Sequence, residues 1–130
     1  MKKIILDTNA LMAVAEFNLD VFTEVGYCCD FTYQLYVLKS TITELEKIKV
    51  EQKLKYKLYA KLALSILTQK MGSKEVKLLA DQKPELSTDD NLILESKQGV
   101  LVLTQDIALK RKLTRPYLTI RQKKKVVVMM

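Results

Sequence analysis

Five carboxylates stand where they could share one piece of chemistry: Asp7, Glu44, Asp89, Asp90 and Asp106. Asp7 ends the apolar run Ile4-Ile5-Leu6, and Asp106 follows the run Val100-Leu101-Val102-Leu103. Glu44 lies about a turn into the helical stretch after Gln34-Leu35-Tyr36-Val37-Leu38. Asp89 and Asp90 open the helix that feeds the last of these runs. Exits of parallel strands collect on one edge of a sheet, the edge where ligands sit in open α/β folds. Two carboxylates about 5 Å apart at an effective dielectric near 20 repel by roughly 3 kcal/mol. Several such pairs exceed what a marginally stable domain tolerates unless some protonate or a cation binds between them. Oxygen-only ligands with open positions suit Mg²⁺ or Mn²⁺, ions that polarise a phosphodiester and activate water at neutral pH.

Each acid also has a purely local use. Asp7 and Asp106 can cap helices, Thr41 and Glu44 have the spacing of a capping box, and Asp89 and Asp90 can complement a helix dipole. The recurrence of acids at three strand exits favours a shared cation site over a set of unrelated caps.

The rest of the composition narrows the chemistry further. There is no histidine, which excludes Ser-His-Asp and Cys-His nucleophile systems and histidine-bridged metals. The net charge of +7 is concentrated late: residues 107–130 hold eight basic side chains and no acid, leaving −1 for the remainder. That basic end is a candidate footprint for a polyanion, with Lys110, Arg111, Arg115, Lys123, Lys124 and Lys125 as its contacts. Cys28 and Cys29, adjacent and alone, read as buried apolar thiols in a reducing compartment. Only three apolar residues separate Lys2-Lys3 from Asp7, and no uncharged apolar run approaches the roughly 18 residues of a membrane helix. A cytoplasmic protein without a membrane partner is expected.

The elements that must position the acids alternate. Ile4–Leu6 reads as a strand, and Leu11 to Val25 as two short helices broken near Asn18 and ended at Gly26. The run from Gln34 to Leu38 is a second strand, with a helix through Ile42, Leu45 and Ile48 after it. Between Glu51 and Gln69 the leucines Leu54, Leu58 and Leu62, with Ile66 and widened by Tyr59 and Leu67, predict the buried face of a long helix. Val76 to Ala80 fits strand or helix equally well. Ser87 opens a helix ended near Gly99, and Val100–Leu103 is a strand. Tyr117–Ile120 and Val126–Met130 read as late strands around a basic turn. The alternation predicts one domain over residues 1–130, an α/β sandwich of three layers, α/β/α, around a mainly parallel sheet of about four to five strands. Residues 107–130 form its basic C-terminal part.

Four segments together resemble the PIN domain, in order and across essentially the whole chain. They are Ile5-Leu6-Asp7-Thr8-Asn9-Ala10-Leu11, Ser40-Thr41-Ile42-Thr43-Glu44-Leu45-Glu46, Asp89-Asp90-Asn91-Leu92-Ile93-Leu94 and Val102-Leu103-Thr104-Gln105-Asp106. The resemblance is to small archaeal PIN proteins akin to the ribosomal-RNA-processing branch and to VapC-type toxins. It implies a Mg²⁺- or Mn²⁺-dependent endoribonuclease acting on single-stranded RNA. It matches Asp7, Glu44, Asp90 and Asp106 to the family's acids, with Asp90 preferred to Asp89, and Asn9 and Thr104 to its polar supports. The partners it implies are RNA, single-stranded or structured, together with an antitoxin, a ribosome-assembly partner or a second copy of the chain. Two rival readings stand beside it. One is a catalytically weak module of the same fold that binds RNA or a protein through the basic end. The other is a phosphoryl-transfer enzyme with Asp7 as nucleophile, disfavoured because Asn9 stands where such enzymes carry a second aspartate.

Overall fold

The computed structural model describes all residues, 1–130, and contains a six-stranded sheet with helices on both faces. In chain order the elements are β1 (Lys2–Leu6), α1 (Thr8–Glu16), α2 (Val21–Cys28), β2 (Tyr33–Leu38), α3 (Lys39–Glu51), α4 (Leu54–Gly72), β3 (Val76–Leu79), α5 (Thr88–Lys97), β4 (Leu101–Leu103), α6 (Ile107–Lys110), β5 (Tyr117–Arg121) and β6 (Lys125–Met129). The strands lie in the order β3-β2-β1-β4-β5-β6, all parallel except the last pair. The expected fold class holds, with one strand more than expected because the ambiguous run from Val76 is an edge strand on β2.

β1 is central, so both its faces are buried, and its three apolar residues alternate between two cores. Ile4 and Leu6 enter the larger core, beneath α1, α2, α3 and α4, with Ala10, Val21, Leu45 and Leu67. Ile5 enters the smaller one, beneath α5 and α6, with Leu92, Val102 and Leu109. Two-sided burial is what turns these strands into near-continuous apolar runs in the sequence.

Three local readings need correction. α4 is turned so that Ala60, Ala63 and Leu67 are buried. Leu54, Leu58 and Leu62 are instead 71%, 55% and 44% exposed, so they are not its core face. The alanine side lets α4 approach α1 and α3 closely, and close packing along a long helix outweighs burying three isolated leucines. α2 runs through Gly26 to Cys28, while Asn18, at φ 50°, takes the left-handed conformation that ends the preceding helical segment. The two cysteines are half-buried beside each other rather than fully buried. Burial still pushes the Cys29 thiol up to about 12, with its neighbour Cys28 adding to the rise.

Candidate active site at the sheet switch point

Strand order reverses direction between β1 and β4, since the chain passes from β1 outward to β2 and β3 and returns as β4 on β1's other side. Such a switch point opens a crevice beyond the carboxyl ends of the two strands. The register pairs Leu6 with Leu103, and the Asp7 amide donates to the Leu103 carbonyl at 3.0 Å, so Asp7 and Thr104 leave the sheet side by side.

Asp7 is both a helix cap and the deepest acid of the crevice. It is 4% exposed; its Oδ1 accepts from the Thr8 amide at 2.7 Å and its Oδ2 from the Thr104 hydroxyl at 2.7 Å. Burial pushes its carboxyl up to about 6, a rise the two hydrogen bonds oppose and the charges of Asp89 and Glu44 add to. Thr104, fully buried, also accepts from the Asp106 amide at 3.1 Å. Its single hydroxyl proton has two acceptors within reach, Asp7 at 2.7 Å and Asn9 Oδ1 at 3.3 Å, and the shorter contact takes it. Asn9 Oδ1 also accepts from the Gln105 amide at 3.0 Å, tying the turn after β1 to the turn after β4. Asn9 and Thr104 therefore fix the Asp7 rotamer and the path of the chain into Asp106.

Asp106 caps α6, its Oδ1 accepting from the Leu109 amide at 3.2 Å. Glu44 makes no capping box: α3 starts at Lys39 without a side-chain cap, and the Thr41 hydroxyl is buried with no partner. Glu44 Oε1 instead accepts from the Thr8 hydroxyl at 2.6 Å, which draws α3 to the exit of β1. Thr8 lies outside the expected site residues, and its only sequence signal is that it directly follows Asp7.

The two aspartates of α5 divide. The charge that reaches Asp7 from α5 is Asp89, and burial together with Asp106, Glu44 and Asp90 raises the Asp89 carboxyl above its ordinary range. Asp90 acts on Asp89 and is not among the charges felt by Asp7; its amide is held by the Ser87 hydroxyl at 3.1 Å. Both aspartates are exposed at the start of α5, and Asp89 is the one whose charge acts on Asp7, so Asp89 stands beside Asp90 as a candidate for the site. Asn91, fully buried, sets this turn: its side chain accepts from the Lys83 amide at 2.8 Å and donates to the carbonyls of Lys83 and Ser87 at 2.9 and 3.0 Å. The Lys112 charge opposes the rise at Asp89, and nothing but its place in the basic run marks it in the sequence.

No ion pair satisfies these acids: the two in the protein join Lys49 to Glu46 and Lys70 to Glu75. Nor do three or more carboxylates or thiols stand together as a ready-made metal cage. Asp89 and Glu44 act on Asp7, and Asp106, Glu44 and Asp90 act on Asp89, a loose set of carboxylates suited to Mg²⁺, which keeps several of its waters and uses few carboxylates. A buried, uncompensated Asp7 and an all-oxygen donor set fit such an ion.

The basic residues fall into two groups. Lys110, Arg111 and Arg115 line one cavity on the α6 side of β5 and β6. Lys123, Lys124 and Lys125 lie at the exposed turn of the β5–β6 hairpin, Lys123 with its Nζ 5.4 Å from the Phe17 ring centre.

A family model described as a PIN like domain matches residues 4–123. Among solved structures, that of the PIN domain endonuclease Utp24 is similar at a TM-score of 0.71 and 20% identity, covering 97% of this chain and 90% of that one. No curated protein matches the sequence.

Proposed function

Because the chain belongs to the PIN-like domain family, whose members support nuclease chemistry in general, we propose that it is a divalent-metal-dependent endoribonuclease cutting single-stranded RNA. The observation that carries this reading is Asp7: buried, raised to about 6, and facing Asp89 and Glu44 with no cation of the protein beside it. Asp7, Asp89 and Asp106 would hold Mg²⁺ or Mn²⁺, with Glu44 as a further ligand or as the group orienting water, and Asp90 as the alternative to Asp89. A divalent ion held there supplies polarisation of the phosphodiester and activation of the attacking water. The chain's own contribution is positional. Thr104 and the Thr8 amide keep the Asp7 carboxylate in one rotamer, Thr8 orients Glu44, and Asn9 couples the turns that carry Asp7 and Asp106.

Lys110, Arg111, Arg115 and Lys123–Lys125 are assigned to phosphate contacts that hold the strand with little regard to sequence. RNA processing and toxin-type cleavage share this chemistry and differ in partner: a ribosome-assembly factor or an antitoxin. No helix is long and apolar enough to cross a membrane. The test is cleavage of an end-labelled single-stranded oligoribonucleotide with Mn²⁺, abolished by Asp7→Asn and by EDTA. Intact RNA at micromolar wild-type protein would refute the reading.

One observation favours the second reading, a weakly catalytic RNA- or protein-binding module: the acids do not form a closed cage. Calorimetry separates the two, since the nuclease should take up Mn²⁺ in an Asp7-dependent way and the module should not.

A further inference from the structure

α6 and the β5–β6 hairpin enclose an open trough of about 540 Å³. Four cations line it, Lys110, Arg111, Arg115 and Arg121, and no carboxylate does. Three of them have a contact that orients the side chain, while Arg111 is exposed on the rim. Lys110 Nζ donates to the Thr119 hydroxyl at 3.1 Å, and Arg121 lies back along the strand pair with its Nη2 3.5 Å from Met129 Sδ. Arg115 sits 5.9 Å from the Tyr117 ring centre and donates to the Met130 carbonyl at 2.9 Å. The floor between them is the face of the sheet bearing Tyr117, Thr119 and Met129. Tyr117 and Thr119 are buried, so the trough offers cations without a carboxylate among them rather than an open stacking face, the make-up of a groove that tracks a phosphate backbone.

Its position relates it to the acids. Asp106 caps α6, and Lys110 lies one turn further along, about 6 Å at 1.5 Å per residue. Leu118 pairs with Leu103, the last residue of β4, so Thr119 to Arg121 continue past the end of that strand on the edge where the acids gather. The Lys110–Arg121 end of the trough therefore lies toward the sheet edge that carries Asp106, and its Arg115 end lies at the start of β5.

We propose that this trough holds the RNA strand on one side of the cleaved phosphate, with Lys110, Arg111 and Arg121 each neutralising one phosphate. The proposal takes its ligand from the nuclease reading, but the binding it describes is separable from cleavage. Arg121 lies outside the set of basic residues that the sequence marks for RNA contact. Lys123, Lys124 and Lys125, outside the trough, make the lesser contribution to the grip.

The experiment is fluorescence anisotropy of a labelled single-stranded oligoribonucleotide, in EDTA across a salt series, with the full chain carrying Asp7→Asn. Adding K110A/R111A/R121A is expected to weaken binding at least tenfold near 0.1 M salt and to lower the salt slope by about 2, at 0.7 per phosphate. The charge-matched control K53A/K55A/K61A, at the start of α4, is expected to change affinity by less than twofold. The tip variant K123A/K124A/K125A is expected to fall between them. Equal losses from the trough and control variants would overturn the proposal, as would a duplex bound as tightly and lost to the same extent. Should the triple variant fail circular dichroism as a folded protein, Arg111→Glu, on the exposed rim, carries the test with an expected loss of at least fivefold. Wild type that leaves RNA intact with Mn²⁺ yet binds through the trough would sink the nuclease reading alone. Cleavage and binding both indifferent to the trough would sink this proposal alone.

Discussion

Replacing Asp7 by asparagine should make the metal-free protein more stable at pH 8. The folded-state carboxyl is raised from 3.8 to about 6, so the folded protein holds this proton more tightly than the unfolded chain does. That favours folding at low pH, and the benefit is lost as pH rises through about 6. By pH 8 the ionised group costs about 3 kcal/mol relative to its protonated form, at about 1.4 kcal/mol for each tenfold change in proton affinity. Asparagine removes the charge while keeping one acceptor for the Thr8 amide. The Thr104 hydroxyl, losing Asp7 Oδ2, can turn to Asn9 Oδ1 at 3.3 Å, a longer bond whose geometry forfeits about 1 kcal/mol. The net gain is about 2 kcal/mol, or roughly 5–10 °C for a domain of this size. Thermal unfolding by circular dichroism in EDTA, at pH 8 and pH 4.5, measures it. At pH 4.5 most of the gain should vanish, because wild-type Asp7 is then protonated. A less stable variant at pH 8, or the same difference at both pH values, would refute the placement of a buried, uncompensated charge at Asp7. Mn²⁺ should restore the order, raising the wild-type midpoint and leaving the variant where it was.

Asp89→Asn should lower single-strand cleavage by at least tenfold and Asp90→Asn by less than threefold; initial rates with Mn²⁺ decide which aspartate faces inward. Thr104→Val, which removes the donor to Asp7 Oδ2, should push the Asp7 carboxyl further up, moving the acidic limb of the rate–pH profile toward neutrality, whereas Thr104→Ser should restore it. Leu58→Ser should change stability by less than about 0.5 kcal/mol in urea unfolding, whereas Leu67→Ala, in the larger core, should cost about 2–5 kcal/mol.

Much of the molecule is written locally. Apolar runs of three to four residues with an acid directly after them or three positions on specify buried strands whose exits carry charge, and the caps at Asp7 and Asp106 need only their own following turn. The class of sheet and the set of acids at its edge follow from that. What one helix shows its neighbours does not. α4 has two apolar sides, and only the presence of α1 and α3 decides that the alanine side packs and Leu54, Leu58 and Leu62 stay in water. Adjacent Asp89 and Asp90 differ by about 100° around α5, and how the helix presents them depends on Asn91 pinning the preceding loop and on α5 docking on β4. Glu44 has ideal capping spacing, yet the Thr8 hydroxyl reaches it from 36 positions away. Local sequence can anticipate a hydrogen bond within one turn, but a long-range partner wins whenever the fold has already brought it within reach, and that depends on every packed element at once.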